Sequence, residues 1–193
     1  MSKRVPKEKD QTARTYFQEI ITVHLSPSAD SAAEFEDLAK QLVFSCPAPL
    51  DDPIFYGSSG LVSPPLAWEG VPDDAKSLVL IIDDPDAPDP KAPKMVWVHW
   101  VVYNIPSDTR SLPENAGKAR LPQGALPGLN DFKKTAYGGP CPPIGRHRYF
   151  HKLYALDVTL DLRGATKSQI ERAMQGHVLA NAELIGTYQK GDR

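Results

Sequence analysis

The side chains that could bind an anion or transfer a proton are concentrated in three stretches. DDPDAPDP spans residues 83–90, VWVHWVV carries His99, and HRYFH begins at His147. Imidazole rings and carboxyl groups can donate hydrogen bonds to an anion or exchange a proton with it. These residue types therefore indicate either anion binding or acid–base catalysis.

The acidic stretch contains Asp83, Asp84 and Asp86 directly after an apolar run. Carboxylates this close repel one another unless cations, hydrogen-bond donors or protons separate them. The stretch is either an acidic turn in solvent or a rigid segment whose Asp-Pro pairs aim one carboxylate inward at the end of a sheet.

His99 is a polar residue among apolar ones, and an unpaired buried donor costs about 1–3 kcal/mol. It is either a core histidine bonded to a neighbouring carbonyl group or a functional histidine with an acidic neighbour. The acidic stretch lies on the strand before it, and adjacent antiparallel strands would bring the two together.

In the third stretch, His147, Tyr149 and His151 share one face of a strand, with Arg148 on the other. At ~3.3 Å per residue, His147 and His151 lie ~13 Å apart, too far to bind one metal ion. We therefore expect neither a metal nor a cofactor. A nucleophile pair of Cys141 and His147 lacks a recognisable third residue, and no Walker A, dinucleotide-binding or HExxH motif occurs.

The loop GGPCPPIGRHRYF, which starts at Gly138, contains three glycines and three prolines in its first eight residues. Proline fixes the backbone, and glycine permits conformations that other residues rarely adopt. The loop is either an ordinary turn between strands or a rigid segment that presents its amide groups to a small ligand.

Hydrophobic patterning predicts a mainly β protein, a sandwich with a few helices near its ends. Strands are expected at 16–25, 77–83, 95–105, 147–160 and 182–188, and helices at 31–44 and 166–179, with 106–146 mostly loop. The segment KQLVFS, within the first helix, also reads as a short strand.

Composition narrows the class of protein. The chain has 193 residues and a formal charge of −2, which favours neither nucleic acid nor a membrane surface. Its longest apolar runs, LVLII and MVWV, are far shorter than the roughly 18 residues of a membrane span. Two cysteines are too few for a disulfide framework. We expect a cytoplasmic protein with a polar, flexible tail at 1–14 and one domain at 15–193.

Four motifs occur together in a characteristic order: DPDAP from Asp84, VHWVVYNIP from Val98, GLND from Gly128 and YGGPCPPIGRHRY from Tyr137. With them, residues 42–188 resemble the phosphatidylethanolamine-binding protein family, or Raf kinase inhibitor-like proteins, of the bacterial and archaeal type. The resemblance implies an antiparallel β-sandwich with a small anion pocket at one edge.

By the same resemblance, the pocket residues would come from all three chemical stretches and the glycine–proline loop. They would be Asp84, His99, Gly139, Pro140, His147 and Tyr149, supported by an ion pair between Asp86 and Arg148. Asp84 would favour the charged form of a neighbouring histidine or, protonated, donate a hydrogen bond itself. Trp97, Trp100 and Tyr149 would form an apolar lip for the organic part of a ligand.

The function implied is a non-catalytic, regulatory binding protein for phosphorylated small molecules or phospholipid head groups. One alternative is an inhibitor of a kinase or protease that acts through its surface loops. A further alternative is a hydrolase that uses Asp84 and His99 as acid and base. A protein partner and a homodimer are both compatible with the sequence.

Overall fold

The computed structural model describes the backbone of residues 43–45 and the whole of residues 62–118 and 120–189. The elements in chain order are β1 (Val43–Ser45), β2 (Leu66–Glu69), β3 (Ser77–Ala87), β4 (Met95–Pro106), β5 (Ser111–Leu112), β6 (Leu126–Pro127), β7 (Arg146–Leu156), α1 (Lys167–Ala173) and β8 (Val178–Gln189). The predicted tail at 1–14 and strand at 16–25 lie outside the described residues.

Two antiparallel sheets build the fold. The larger has the strand order β6-β4-β3-β7-β8, and the smaller has the order β1-β2-β5. Strand β3 is apolar on both faces because it lies in the centre of the larger sheet, between β4 and β7. The prediction of a mainly β, antiparallel fold is confirmed.

The two faces of the larger sheet pack against different partners. One face packs against the smaller sheet, with Leu80, Trp100 and Leu153 against Trp68 and other buried residues. The opposite face packs against α1 through Ile170 and against the segment that precedes it. The aspartate and histidine residues of β3, β4 and β7 can therefore be held in rigid strands near the core.

Several element boundaries differ from the predictions. Residues 43–45 form a strand, as the KQLVFS reading allowed, and the rest of the helix predicted at 31–44 lies outside the described residues. The predicted helix at 166–179 ends at Ala173, and Val178 begins β8. At its start, the N–H of Thr166 donates to Gln169 Oε1 at 2.9 Å, an interaction typical of a helix capping box. No helix in the described part of the chain is long and apolar enough to cross a bilayer.

The fully buried Asp83 connects the sheet to α1. Its carboxylate accepts hydrogen bonds from Lys152 of β7 at 3.0 Å and from Lys167 of α1 at 2.5 Å. Burial opposes the charge on Lys167, but the hydrogen bond and negative charge of Asp83 raise the pKa of the lysine overall. One buried carboxylate thus pairs with two cations that would otherwise be costly to bury, and Glu171 lies 3.5 Å from Lys167 as a second acidic partner.

A second buried polar residue, His151, lies in the middle of β7 and is 1% exposed. Its Nδ1–H donates to the carbonyl oxygen of Tyr149 at 3.2 Å. Burial lowers the pKa of His151 to about 4, because the protein interior disfavours the charged ring. His151 is therefore a neutral core residue at neutral pH.

The pairing of Asp83 with two lysines predicts that loss of the carboxylate lowers stability more than loss of one lysine. Asp83→Asn removes the carboxylate that pairs with both lysines, leaving Lys167 only Glu171 at 3.5 Å, and should lower the free energy of unfolding by about 3–5 kcal/mol. Lys152→Met should cost much less, since Lys167 still neutralises Asp83. Urea unfolding measures both, with the exposed Asp74→Asn as the control. Equal losses for Asp83→Asn and Lys152→Met would contradict this assignment.

The neutral His151 predicts a loss of stability in acid. Below pH 6.5 the unfolded chain binds a proton at this residue, whereas the folded protein does not until about pH 4. Stability therefore falls as the pH decreases, and between pH 7 and 5 this residue should contribute about 2 kcal/mol of the decrease. The His151→Asn variant should lose that part of the pH dependence, as measured by urea unfolding at both pH values. Gln175→Asn, an exposed position without a titratable group, serves as the control and should keep the wild-type slope.

Candidate anion-binding site

A β-bulge in β4 positions His99. Ile82 of β3 pairs with Trp100, and the next residue, Asp83, pairs with Val98, so that His99 has no partner on β3. An extra residue of this kind breaks the alternation of side chains along a strand and re-aims one of them. His99 consequently contacts Tyr149 of β7, although its neighbour Trp100 also packs into the core on that side of the sheet.

The loop after β6 holds His99 by its backbone and by its side chain. Gly138 N–H donates to His99 O at 3.0 Å, and His99 Nδ1–H donates to Gly138 O at 2.7 Å. The buried Asn130 adds a hydrogen bond from Nδ2 to His99 O at 3.1 Å. The rings of Phe132 and Tyr149 pack edge-on against the imidazole, with centroids 5.6 and 5.2 Å away. The imidazole is therefore fixed in one orientation.

Because Gly138 O can only accept, Nδ1 carries the proton of the neutral His99 ring. Burial lowers the pKa of His99, and the Gly138 hydrogen bond and nearby carboxylates only partly oppose this effect. At neutral pH the ring is thus uncharged, with a lone pair on Nε2. That atom is buried and has no hydrogen-bond partner in the part of the chain that the structure describes.

His147 lies beside Asp84, on the strand that flanks β3. Its Nδ1 lies 2.7 Å from Asp84 Oδ2, and its Nε2 lies 3.0 Å from the carbonyl oxygen of Ile144. Either both ring nitrogens are protonated beside an ionised Asp84, or Asp84 is protonated and donates to Nδ1. The pair has no net charge in either arrangement, which removes the repulsion that a lone carboxylate would exert on an anion.

The neighbouring acid is neutralised separately. Asp86 accepts hydrogen bonds from Arg148 Nε at 2.9 Å and from Arg148 Nη2 at 2.7 Å, and its own N–H donates to Asp84 Oδ1 at 2.8 Å. The hydrogen bond and charge of Arg148 lower the pKa of Asp86 despite its burial. The structure therefore contains the ion pair that the resemblance implies, and that pair holds Asp84 in place.

Gly138 belongs to this site through its hydrogen bonds to His99, and a side chain there would require the Phe132 ring to move. A Cβ atom at this position would lie 2.5 Å from Cε2 of Phe132. The resemblance pointed to the next residues, Gly139 and Pro140, which are both buried in the same loop. The hydrogen bonds to His99, however, come from Gly138.

The structure brings Asp84, His99, His147 and Tyr149 to one end of the larger sheet. His147 hydrogen-bonds to Asp84, and Tyr149 contacts both histidine rings, with the His147 centroid 6.5 Å away. These four residues come from three neighbouring strands, β3, β4 and β7. The acid–base pair of the hydrolase hypothesis is not hydrogen-bonded, because Asp84 pairs with His147.

The apolar lip differs from the expectation. Tyr149 is fully buried and does not line the surface. Trp100 is 1% exposed and packs against Tyr137 in the core, so it does not line the surface either. Its place is taken by Phe132, which is 39% exposed and contacts Trp97 edge-on at 5.4 Å. Only its position after the GLND motif distinguishes Phe132 in the sequence.

Two further residues position the site and were not assigned a role from the sequence. The carboxylate of Asp131 accepts the N–H of Val98 at 2.8 Å, and its own N–H donates to Val98 O at 3.1 Å. Asn130 donates to His99 and to Ala136 O at 2.8 Å. Both residues belong to the GLND motif. The motif could be recognised in the sequence, but its contacts with β4 could be known only from the fold.

Among the described residues, no three His, Cys, Asp or Glu side chains are grouped to bind a metal ion. Cys141 is exposed in the glycine–proline loop. The chemistry that the described groups offer is hydrogen bonding, from a neutral ring with a free acceptor beside an uncharged carboxyl–imidazole pair.

Two known proteins are similar in sequence to about two thirds of this chain. A UPF0098 protein of Methanothermobacter thermautotrophicus is 56% identical over 132 residues, which cover 67% of this chain and 84% of the relative. Another, from Chlamydia trachomatis serovar D, is 46% identical over 137 residues, covering 70% and 88% of the two chains.

Two solved structures have the same fold. A putative phosphatidylethanolamine-binding protein homolog from Chlamydia trachomatis superposes with a TM-score of 0.70 at 41% identity, covering 79% of this chain and 99% of the other. YbcL of E. coli, described as a member of the mammalian PEBP family, has a TM-score of 0.63 at 35% identity, covering 70% and 85%. Residues 30–189 match the family model for phosphatidylethanolamine-binding proteins, and the chain therefore belongs to that family.

Proposed function

We propose that this protein is a non-catalytic binding protein whose pocket takes the phosphoryl group of a phosphorylated small molecule or of a phospholipid head group. The family supports a ligand-binding role, and the site at the end of the larger sheet supports a small polar ligand. Rigid strands and a loop held by hydrogen bonds keep this site in one conformation, which suits binding.

The observation that carries the proposal is the state of His99. Its side chain is almost completely buried, yet Nε2 has no hydrogen-bond partner among the residues described. A buried polar atom left unpaired costs about 1–3 kcal/mol. Such an atom calls for an explanation, and a ligand that pairs with Nε2 supplies one.

The local charges suit an anion of modest affinity. Asp84 and His147 form an uncharged pair, and Arg148 neutralises Asp86. Arg148 is committed to Asp86, so the bidentate arginine fork that makes many phosphate sites tight is not directed at His99. Binding therefore depends on hydrogen bonds within the pocket and on contacts outside it.

Those outer contacts would involve Trp97 and Phe132. The two rings pack edge-to-face next to His99, and Phe132 also touches its imidazole. An exposed aromatic edge beside a polar pocket fits the organic part of a phosphomonoester. The ligand would thus be an amphipathic phosphoryl compound rather than free phosphate.

A titration with methyl phosphate tests the proposal. Binding at pH 6 should be at least about tenfold tighter than at pH 8, because the proton shared by the ligand and the pocket is lost over that range. Calorimetry at both pH values gives the affinities, and phosphate release in the same samples checks for turnover. Absence of binding at pH 6 would contradict the proposed function, and turnover would favour the hydrolase alternative.

Replacing Asp84 should weaken this binding. The negative charge of Asp84 is one of the interactions that oppose the lowered pKa of His99. Asp84→Asn removes that charge and the partner of His147, so affinity at pH 6 should fall several-fold to about tenfold, equivalent to up to one pKa unit. Asp74→Asn, in an exposed turn, is the control. Tighter binding by Asp84→Asn at both pH values would show that repulsion by the carboxylate dominates.

The contact between Gly138 and Phe132 provides an independent test. Gly138→Ala should weaken methyl phosphate binding about tenfold or more, because the added methyl group overlaps the Phe132 ring and displaces the carbonyl that holds His99. Phe132→Ala in the same chain makes room and should restore part of the affinity. The four proteins form a double-mutant cycle. Additive losses would mean that Gly138 does not act through this contact.

A further inference from the structure

The structure assigns His99 the role of a hydrogen-bond acceptor that selects a proton-bearing phosphoryl group, the monoprotonated phosphomonoester, over anions that carry no proton. This inference rests on the proposed function and specifies its ligand. The free acceptor is Nε2 of the imidazole. The His99 residue is 3% exposed, and its Nε2 has no hydrogen-bond partner among the described residues.

The ring cannot easily be reversed. Its Nδ1–H donates to Gly138 O at 2.7 Å, and Gly138 in turn donates to the backbone of His99. A reversed ring would leave the Gly138 carbonyl without this donor. Asn130 also holds the His99 backbone, at 3.1 Å, so the loop and the strand move together. Nε2 is therefore held in the orientation of a hydrogen-bond acceptor.

The charges around His99 do not convert it into a cation. Asp84, Asp83 and Asp131 all favour the charged ring, but burial outweighs them and lowers the pKa of His99. Each acid has other partners: Asp84 pairs with His147, Asp83 with Lys152 and Lys167, and Asp131 with the N–H of Val98. Tyr149 and His151, which face the ring from β7, are themselves neutral at pH 7, because burial raises the pKa of Tyr149 and lowers that of His151.

A neutral acceptor places a clear demand on the ligand. A phosphomonoester loses its second proton near pH ~6, so around that pH it carries a P–O–H group that can donate to Nε2. A sulfate monoester has the same shape as the phosphomonoester and one negative charge, but it carries no proton. It would bring an oxygen lone pair against the lone pair of Nε2 unless His99 took up a proton from water. Sites that pair with a ligand donor reject analogues without one, because the buried partner is left unsatisfied.

The proton balance follows from the same arrangement. When the free ligand is the monoanion, its proton stays in the O–H to Nε2 hydrogen bond, and no proton is exchanged with solvent. When the free ligand is the dianion, as above pH 7, the complex takes up close to one proton per ligand. No covalent bond is formed or broken.

Methyl phosphate and methyl sulfate form a matched pair of ligands for the test. At pH 6, methyl phosphate should bind at least about tenfold more tightly than methyl sulfate. At pH 7.5, calorimetry in buffers of different ionisation enthalpy should give an uptake approaching one proton per methyl phosphate bound. His99→Gln, whose amide can donate as well as accept, should bring the two affinities to within about threefold.

A second measurement does not depend on any ligand. The sequence contains five histidines, so imidazole nitrogen signals can be resolved by NMR and assigned with His99→Gln. Nε2 of His99 should have the shift of an unprotonated nitrogen at pH 7.

The results of these experiments distinguish failure of this inference from failure of the proposed function. Equal binding of both esters with no proton uptake, or a protonated Nε2 in the free protein at pH 7, would overturn the inference and leave phosphoryl binding intact. Failure of methyl phosphate to bind at pH 6 would overturn the proposed function together with this inference.

Discussion

The extra residue in β4 is the constraint on which the site depends. At the bulge, two consecutive residues of β4 bond to the same loop: Asp131 exchanges two hydrogen bonds with Val98, and Gly138 and Asn130 both donate to His99 O. Those bonds attach the loop that carries Gly138 to the sheet and fix the imidazole. In a regular strand consecutive residues direct their N–H and C=O groups to opposite sides, so only one of the two would bond to this loop.

A second constraint is the close spacing of three acids in β3. Asp83, Asp84 and Asp86 are all buried, and each is neutralised by a different partner. Asp83 pairs with lysines on the face that packs against α1, Asp84 pairs with His147, and Asp86 pairs with Arg148. Side chains alternate between the two faces of β7, so Arg148 and Lys152 lie on the opposite face to His147. This alternation explains why the acids have different partners. The cations and hydrogen-bond donors that such closely spaced acids require are thus present.

The strands and the set of converging residues could be predicted from the sequence, because long apolar runs and the four motifs depend on local composition and order. The bulge could not, because counting alternate residues assumes a regular strand. Trp100 was expected beside the pocket, whereas the structure buries it in the core. The role of Gly138 could not be predicted either, because it depends on a contact with Phe132 that only the folded loop creates.

An unpaired acceptor in a buried position lowers stability and must be tolerated by the rest of the fold. Around His99 the stabilising interactions are strong: the imidazole is packed between Phe132 and Tyr149, and its other nitrogen is hydrogen-bonded. The same packing that tolerates the unpaired atom also prevents it from turning towards another partner. His151 of β7 is equally buried and neutral, and its Nε2 likewise has no hydrogen-bond partner among the described residues, but it is paired on both sides, with Ile82 of β3 and Leu184 of β8. The two histidines therefore differ in their surroundings: His99 contacts the loop that carries Gly138 and the partly exposed Phe132, whereas His151 is enclosed between strands.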